Sequence, residues 1–118
     1  MTHDVPDLDL AAPLARLRGD ETLLIEMAGF FAEDYPVLLE TVRERLKAGD
    51  LAAVERAAHS LKGLAATFDA EPTISAASDV EAAARDEQSD RLPRLVETLD
   101  AKAQWLAERL ADYRRNCS

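Results

Sequence analysis

Only one cysteine, Cys117, occurs in the 118 residues, so neither an intrachain disulfide nor a cysteine-rich metal site is available. Its place one residue from the end reads as an exposed tail thiol. Glycine (4) and proline (5) are too scarce for a collagen-like or low-complexity chain, and their scarcity argues against an all-β domain with many turns. Basic residues are outnumbered 14 to 23 by acidic ones, for a net charge of −9. That balance argues against nucleic acid, because a phosphate backbone rewards clustered Lys and Arg. No apolar run approaches the ~18 residues that span a bilayer. The opening MTHDVPDLDL is acidic and has no apolar stretch, so no secretory signal is expected and a cytoplasmic location follows by default.

What is present points to helices. Hydrophobic residues make up 47 %, too many for a disordered acidic chain, and Ala and Leu are abundant. The length suits one domain with a real core. Residues 1–7, with Pro6 and two acids, read as a disordered lead-in to a single domain over 8–115. Leu8, Leu10, Leu14 and Leu17 suggest a short helix ended by Gly19. The pairs Gly19-Asp20 and Gly49-Asp50 place a helix-ending glycine before a helix-capping aspartate, and each reads as a tight joint.

Four longer amphipathic segments follow. Over 20–48, Leu24, Met27, Phe31, Tyr35, Leu38, Val42 and Leu46 recur at helical steps, and Pro36 is expected to kink or split the helix. Over 50–69 the apolar face is Leu51, Val54, Ala58, Leu61, Ala65 and Phe68. Over 72–87, with Pro72 in the first turn, it is Ile74, Ala77, Val80 and Ala84. The run DEQSD reads as a loop. A last helix from near Asp90 carries Leu92, Leu95 or Val96, Leu99, Ala103, Leu106, Leu110 and Tyr113. The prediction is an all-α, antiparallel up-down four-helix bundle with a short N-terminal helix capping one end.

One face of the third helix does not belong to the core. With Val54 as zero on a helical wheel, His59 lies roughly 140° away, Lys62 roughly 80° and Gly63 roughly 180°. The wheel thus turns His59 out of the bundle, with Lys62 one turn along and the nearly bare Gly63 and Ala66 beside it. An accessible imidazole is a nucleophile near neutral pH. A lysine three residues on can reach a group attached to it. Gly63 costs about 1 kcal/mol in a helix relative to Ala, and clearance for a bulky group or a partner is a candidate offset. On these residues alone, a surface histidine without a role is the commoner reading.

The run Ala57-Ala58-His59-Ser60-Leu61-Lys62-Gly63-Leu64-Ala65 resembles the A-H-x-L-K-G-x-A signature of histidine-containing phosphotransfer (HPt) domains. Upstream, Phe31, Pro36, Leu38, Leu39, Leu46 and Gly49-Asp50 match the family's preceding helix and joint. Downstream, Ile74, Ala77, Val80 and Glu81 match its L-x-x-A-x-x-L-E run, and the likeness covers about residues 10 to 110. The resemblance implies a four-helix bundle whose exposed histidine carries a phosphoryl group between receiver domains. His59 would be the phosphoacceptor, Lys62 would stabilise the phosphoryl charge, and Gly63 would leave room for it.

Glu81 matches the acid that bonds the imidazole in HPt domains of chemotaxis-type kinases. Its place at the edge of the buried face gives it reach, although it could equally pair with a cation on a neighbouring helix. Two departures stand out. Asp69-Ala70 replaces the usual Gly-Ala after the phosphorylated helix, and the next helix opens on Glu71-Pro72-Thr73. Aspartate tolerates left-handed geometry better than most residues, so the turn can survive.

The expected function is a stand-alone phosphorelay carrier, not an enzyme. Its expected partners are response-regulator receiver domains and a hybrid sensor histidine kinase, with Leu64 and Ala66 at the docking rim. No cofactor of its own is expected, since the receiver would supply Mg²⁺, and a monomer is expected. The rival is a helical adapter or inhibitor that binds a kinase or receiver without phosphotransfer. A structural protein dimerising through its last helix, and a metal site, are weaker readings, His3 and His59 being the only histidines.

Overall fold

A computed structural model describes residues 8–117. Five helices follow in order: α1 (Ala11–Arg16), α2 (Glu21–Ala48), α3 (Leu51–Ala66), α4 (Glu71–Arg85) and α5 (Leu92–Cys117). The lead-in expected over residues 1–7 lies outside the described residues. The joints form as their Gly-Asp pairs dictate. Gly49 ends α2 in the left-handed region at φ 75°, and the Asp50 carboxylate accepts from Ala53 N–H at 3.2 Å to cap α3. Gly19 takes φ 78°, and Asp20 caps α2 by accepting from Leu23 N–H at 3.0 Å. Each cap satisfies a helix-start N–H that has no partner within its own helix.

Short joints force neighbours to run antiparallel. The helices α2, α3, α4 and α5 close into a ring, each packed on the next and α5 back on α2. The 28 residues of α2 at 1.5 Å each account for most of the 46 Å length of the molecule, which is 46 × 21 × 20 Å. The lower end gathers the start of α2, the α3–α4 joint and the end of α5. Here α1 closes the bundle: Leu8, Leu10 and Leu14 enter the core, and the Arg16 guanidinium donates to Thr67 O at 3.1 Å and to both oxygens of Asp69. Asp69 itself is left-handed at φ 52°. The aspartate found in place of a glycine is thus held by an arginine from the capping helix.

The last helix begins at Leu92, close to the expected start near Asp90, and buries the expected Leu92, Leu99, Ala103, Leu106, Leu110 and Tyr113; of Leu95 and Val96, between which the pattern left the choice open, Val96 is the one in the core. Three expectations change. Helix α2 is continuous from Glu21 to Ala48, so of the kink or split expected at Pro36 the split does not occur. Pro36 and Ala32, whose carbonyl loses its amide partner, both lie on exposed positions, so water can satisfy that carbonyl. The core stripe of α2 is also rotated: Ala28 and Leu39 are buried, while Met27, Tyr35, Leu38 and Leu46 are only half-buried. On α4, Ile74 is half-buried and the neighbouring Thr73 is fully buried instead. The Thr73 hydroxyl donates to Lys102 O on α5 at 2.8 Å, which meets the requirement that a buried polar group be hydrogen-bonded.

Candidate functional site

Helix α3 is anchored by Val54, Ala58, Leu61 and Ala65, all fully buried. That anchoring fixes its rotation and turns the opposite face outward. The His59 side chain is 68 % exposed there, at the border with α4. Across the border, Val80 and Ala77 are sunk in the core, and Glu81 follows at the edge with its side chain 13 % exposed. The antiparallel register of α3 and α4 brings the two together: Glu81 Oε2 lies 2.8 Å from His59 Nδ1. The other carboxylate oxygen, Oε1, lies 2.7 Å from Lys62 Nζ. One carboxylate therefore joins the imidazole and the ammonium that stand three residues apart on α3.

The charge state of Glu81 follows. The hydrogen bond from Lys62 is the main influence holding its carboxyl below the usual carboxylate range; the bond to His59 acts in the same direction, and burial opposes both. An ionised carboxylate only accepts hydrogen bonds, so Nδ1 must carry the proton in this contact. In a neutral ring the lone pair is then on Nε2, which is the nitrogen turned away from Glu81. The contact fixes the tautomer of the ring and turns the Nε2 lone pair away from Glu81.

Lys62 differs from its sequence-based placement. The wheel sets it one turn along from the outward-facing His59, on the same side, but its side chain is only 31 % exposed and it is paired. The pull of Glu81 draws it back against α4. Gly63 lies on the exposed face, and a Cβ built there meets nothing within 4 Å. Its lack of a side chain is therefore not required by packing within the chain.

Leu64, expected at the docking rim, is half-buried and lines a groove between α2 and α3 with Asp34, Val37, Leu38, Ser60 and Gly63. Ala66 is exposed at the last turn of α3 and is not part of that groove's lining. Reading the core stripes alone missed two apolar residues here. Phe30 is 60 % exposed and Val37 is 65 % exposed on α2. With Leu23, 39 % exposed, they form a ridge at steps of seven residues, outside the core stripe. That spacing was the available signal. Among the described residues, no group of three or more His, Cys, Asp or Glu gathers that could hold a metal ion. No helix of the described residues is long and apolar enough to cross a membrane.

The family model for the Hpt domain matches residues 26–114. The chain belongs to the Hpt family. Among solved structures, the crystal structure of histidine-containing phosphotransfer protein B (HptB) from Pseudomonas aeruginosa PAO1 is similar, with a TM-score of 0.85 at 25 % sequence identity, over 96 % of this chain and 98 % of that one. Among curated proteins nothing matches. Hpt proteins act as intermediates in phosphotransfer, and this Hpt chain is a phosphorelay carrier.

Proposed function

We propose that this Hpt chain carries its phosphoryl group on Nε2 of His59, taken from a receiver-domain aspartate or a kinase and handed on to another receiver. The observation that carries the reading is the 2.8 Å contact between Nδ1 of an exposed imidazole and a carboxylate already neutralised by a lysine. Nε2 attacks the phosphorus of the partner's phospho-aspartate in line. The N–P bond forms as the P–O bond to the aspartate breaks, and the aspartate leaves as a carboxylate. The ring keeps its Nδ1 proton and gains positive charge as the bond forms. Glu81 stands where that charge develops, which is the arrangement that lowers such a barrier. On the return step the protonated ring leaves readily, so one site serves both directions.

The work of this chain is positioning and charge neutralisation. The divalent cation that neutralises the phosphoryl oxygens would be held by the receiver's own acidic residues. We place the receivers and a hybrid sensor histidine kinase in the cytoplasm as its partners, and the carrier as a monomer. The groove of Val37, Leu38, Gly63 and Leu64, with the Phe30 ridge beside it, supports docking of a receiver through an apolar face next to His59.

The test is phosphotransfer from a panel of phosphorylated receiver domains, with Mg²⁺, to the wild type and to His59→Gln. Acid-labile, alkali-stable phosphate located on His59 by mass spectrometry, and present on wild type only, is the expected result. Tight binding of a receiver with no label from any of them would return the chain to the adapter reading.

A further inference from the structure

We propose that Arg56 is the cation that takes the phosphoryl oxygens once His59 is phosphorylated, a role that rests on the carrier reading above. Lys62 is the obvious candidate from spacing, but its ammonium is already committed to Glu81 at 2.7 Å. Releasing it would leave the Glu81 carboxylate without its nearest cation just as a phosphoryl group adds negative charge beside it. Arg56 has no such commitment: it is exposed and makes no ion pair or hydrogen bond among the described residues.

Position supports the assignment. Arg56 is three residues before His59 on α3, so the two are surface neighbours. Helical side chains lean toward the helix N-terminus, and a ring at position 59 therefore lies over the turn that carries residues 55 and 56. In agreement, His59 and Arg56 line one open groove together with Ala52, Glu55, Ser60 and Glu81. Glu55 and Glu81 put two negative charges along that groove, against Lys62 as the paired cation. Arg85 is one turn beyond Glu81 on α4 and is not part of its lining, while Asp34 faces the other groove, beside Ser60 and Gly63. With Glu81 balanced by Lys62, a phosphoryl group on Nε2 meets Glu55 and Arg56 in that groove, and Arg56 is the uncommitted cation of its lining. A guanidinium also presents a planar fork that can hold two phosphoryl oxygens at once, which an ammonium cannot.

The experiment uses the intact chain phosphorylated with potassium phosphoramidate; the P–N bond of the reagent breaks, ammonia leaves and the N–P bond to His59 forms. The last ionisation of the phosphoryl group is followed by ³¹P NMR as pH is varied, in wild type, Arg56→Gln, Arg56→Lys and Arg85→Gln. A cation at the oxygens favours the dianion, so Arg56→Gln is expected to raise that ionisation by about half a unit, an exposed contact being partly screened. Arg56→Lys recovers much of the shift, Arg85→Gln leaves the curve in place, and 1 M salt narrows the gap. A titration of Arg56→Gln that overlays wild type, or a shift found in Arg85→Gln alone, overturns the assignment. A wild type that takes no phosphoryl group on His59, from phosphoramidate or from any phosphorylated receiver, brings down the carrier reading itself. Label on His59 with an unmoved titration removes only the role of Arg56.

Discussion

His59 Nδ1 and Glu81 Oε2 are 2.8 Å apart, although 22 residues and a helix turn-around separate them in the chain. The contact exists because two independent core stripes fix the rotation of α3 and of α4. Ala58 and Leu61 bury one side of α3, and Ala77 and Val80 bury one side of α4. The polar pair is what remains at the shared border. A bond to a charged group is worth about 1.5–3 kcal/mol. If it strengthens as the ring gains charge, its loss slows transfer by roughly 10- to 100-fold. Glu81→Gln keeps the shape but offers a neutral acceptor, and Glu81→Ala removes the acceptor. The expected order of transfer rates is wild type, then Glu81→Gln, then Glu81→Ala. ¹⁵N NMR of the imidazole should show the Nε2–H tautomer appearing in Glu81→Ala. Equal rates in all three would remove the carboxylate from the mechanism.

The Lys62–Glu81 pair sets a pH dependence with a definite sign. Glu81 is held below the ordinary carboxylate range, chiefly by its bond from Lys62. A carboxyl whose folded pKa is lowered adds stability above its unfolded value, and that stability is lost as pH falls through the folded value. The triad should therefore stay intact throughout the neutral range and come apart only in acid. Lys62→Met moves the Glu81 titration upward, visible by ¹³C NMR of its carboxyl group. The melting temperature at neutral pH should fall only slightly, since ion pairs near the surface are worth about 1 kcal/mol or less. Phosphotransfer should slow far more than that figure suggests. An unmoved Glu81 titration in Lys62→Met would contradict the 2.7 Å bond.

Residues with one dominant surround were the legible ones. The α5 stripe was readable, apart from the choice between Leu95 and Val96, because that helix has one long buried face. Helix α2 has two flanks, one toward α5 and one toward α3, and a wheel drawn through its bulkiest residues averaged them. It therefore overrated Met27, Tyr35, Leu38 and Leu46 and passed over Ala28 and Leu39. Thr73 escaped because its burial depends on a carbonyl of another helix, Lys102 O, which no periodicity encodes. At the site, the outward turn of His59 and the edge placement of Glu81 were both readable from their wheels. The pairing of Lys62 with Glu81 was not, since it depends on the register of α3 against α4. Asp69 is a similar case: its tolerance of φ 52° was legible, but its hold by Arg16 comes from a helix 53 residues away in sequence.

The apolar ridge of α2 gives a docking prediction separable from the chemistry. Phe30 and Val37 are exposed, so replacing them removes little from the core. Truncating an apolar anchor at an interface typically costs more than about 1 kcal/mol, or roughly fivefold or more in affinity. Phe30→Ala and Val37→Ala should each weaken receiver binding on that scale, measured by calorimetry, with the melting temperature nearly unchanged. The imidazole tautomer should be unaffected, because neither residue touches His59 or Glu81 in the polar contacts of the site. Receiver affinity unchanged in both variants would move the docking face elsewhere on the bundle.

Two glycines within helices provide a matched comparison of stability and function. Gly63 on α3 and Gly29 on α2 both have open space where a Cβ would go. Glycine inside a helix is less stable than alanine by about 0.5–1 kcal/mol. Both Gly29→Ala and Gly63→Ala should therefore raise the melting temperature by a similar, small amount. Their functional effects should part. Gly63 lines the groove beside Ser60 and Leu64, one turn from His59, whereas Gly29 is absent from that lining. A partner that approaches His59 closely meets any side chain at position 63. Gly63→Leu should fold and keep its helix content by circular dichroism, yet transfer phosphate from a receiver at a much reduced rate. Gly29→Leu should transfer as wild type does. Clearance for a partner at position 63 requires that difference. If Gly63→Leu transfers at the wild-type rate, the helix-destabilising glycine has no explanation in partner approach, and the docking geometry proposed around His59 is wrong.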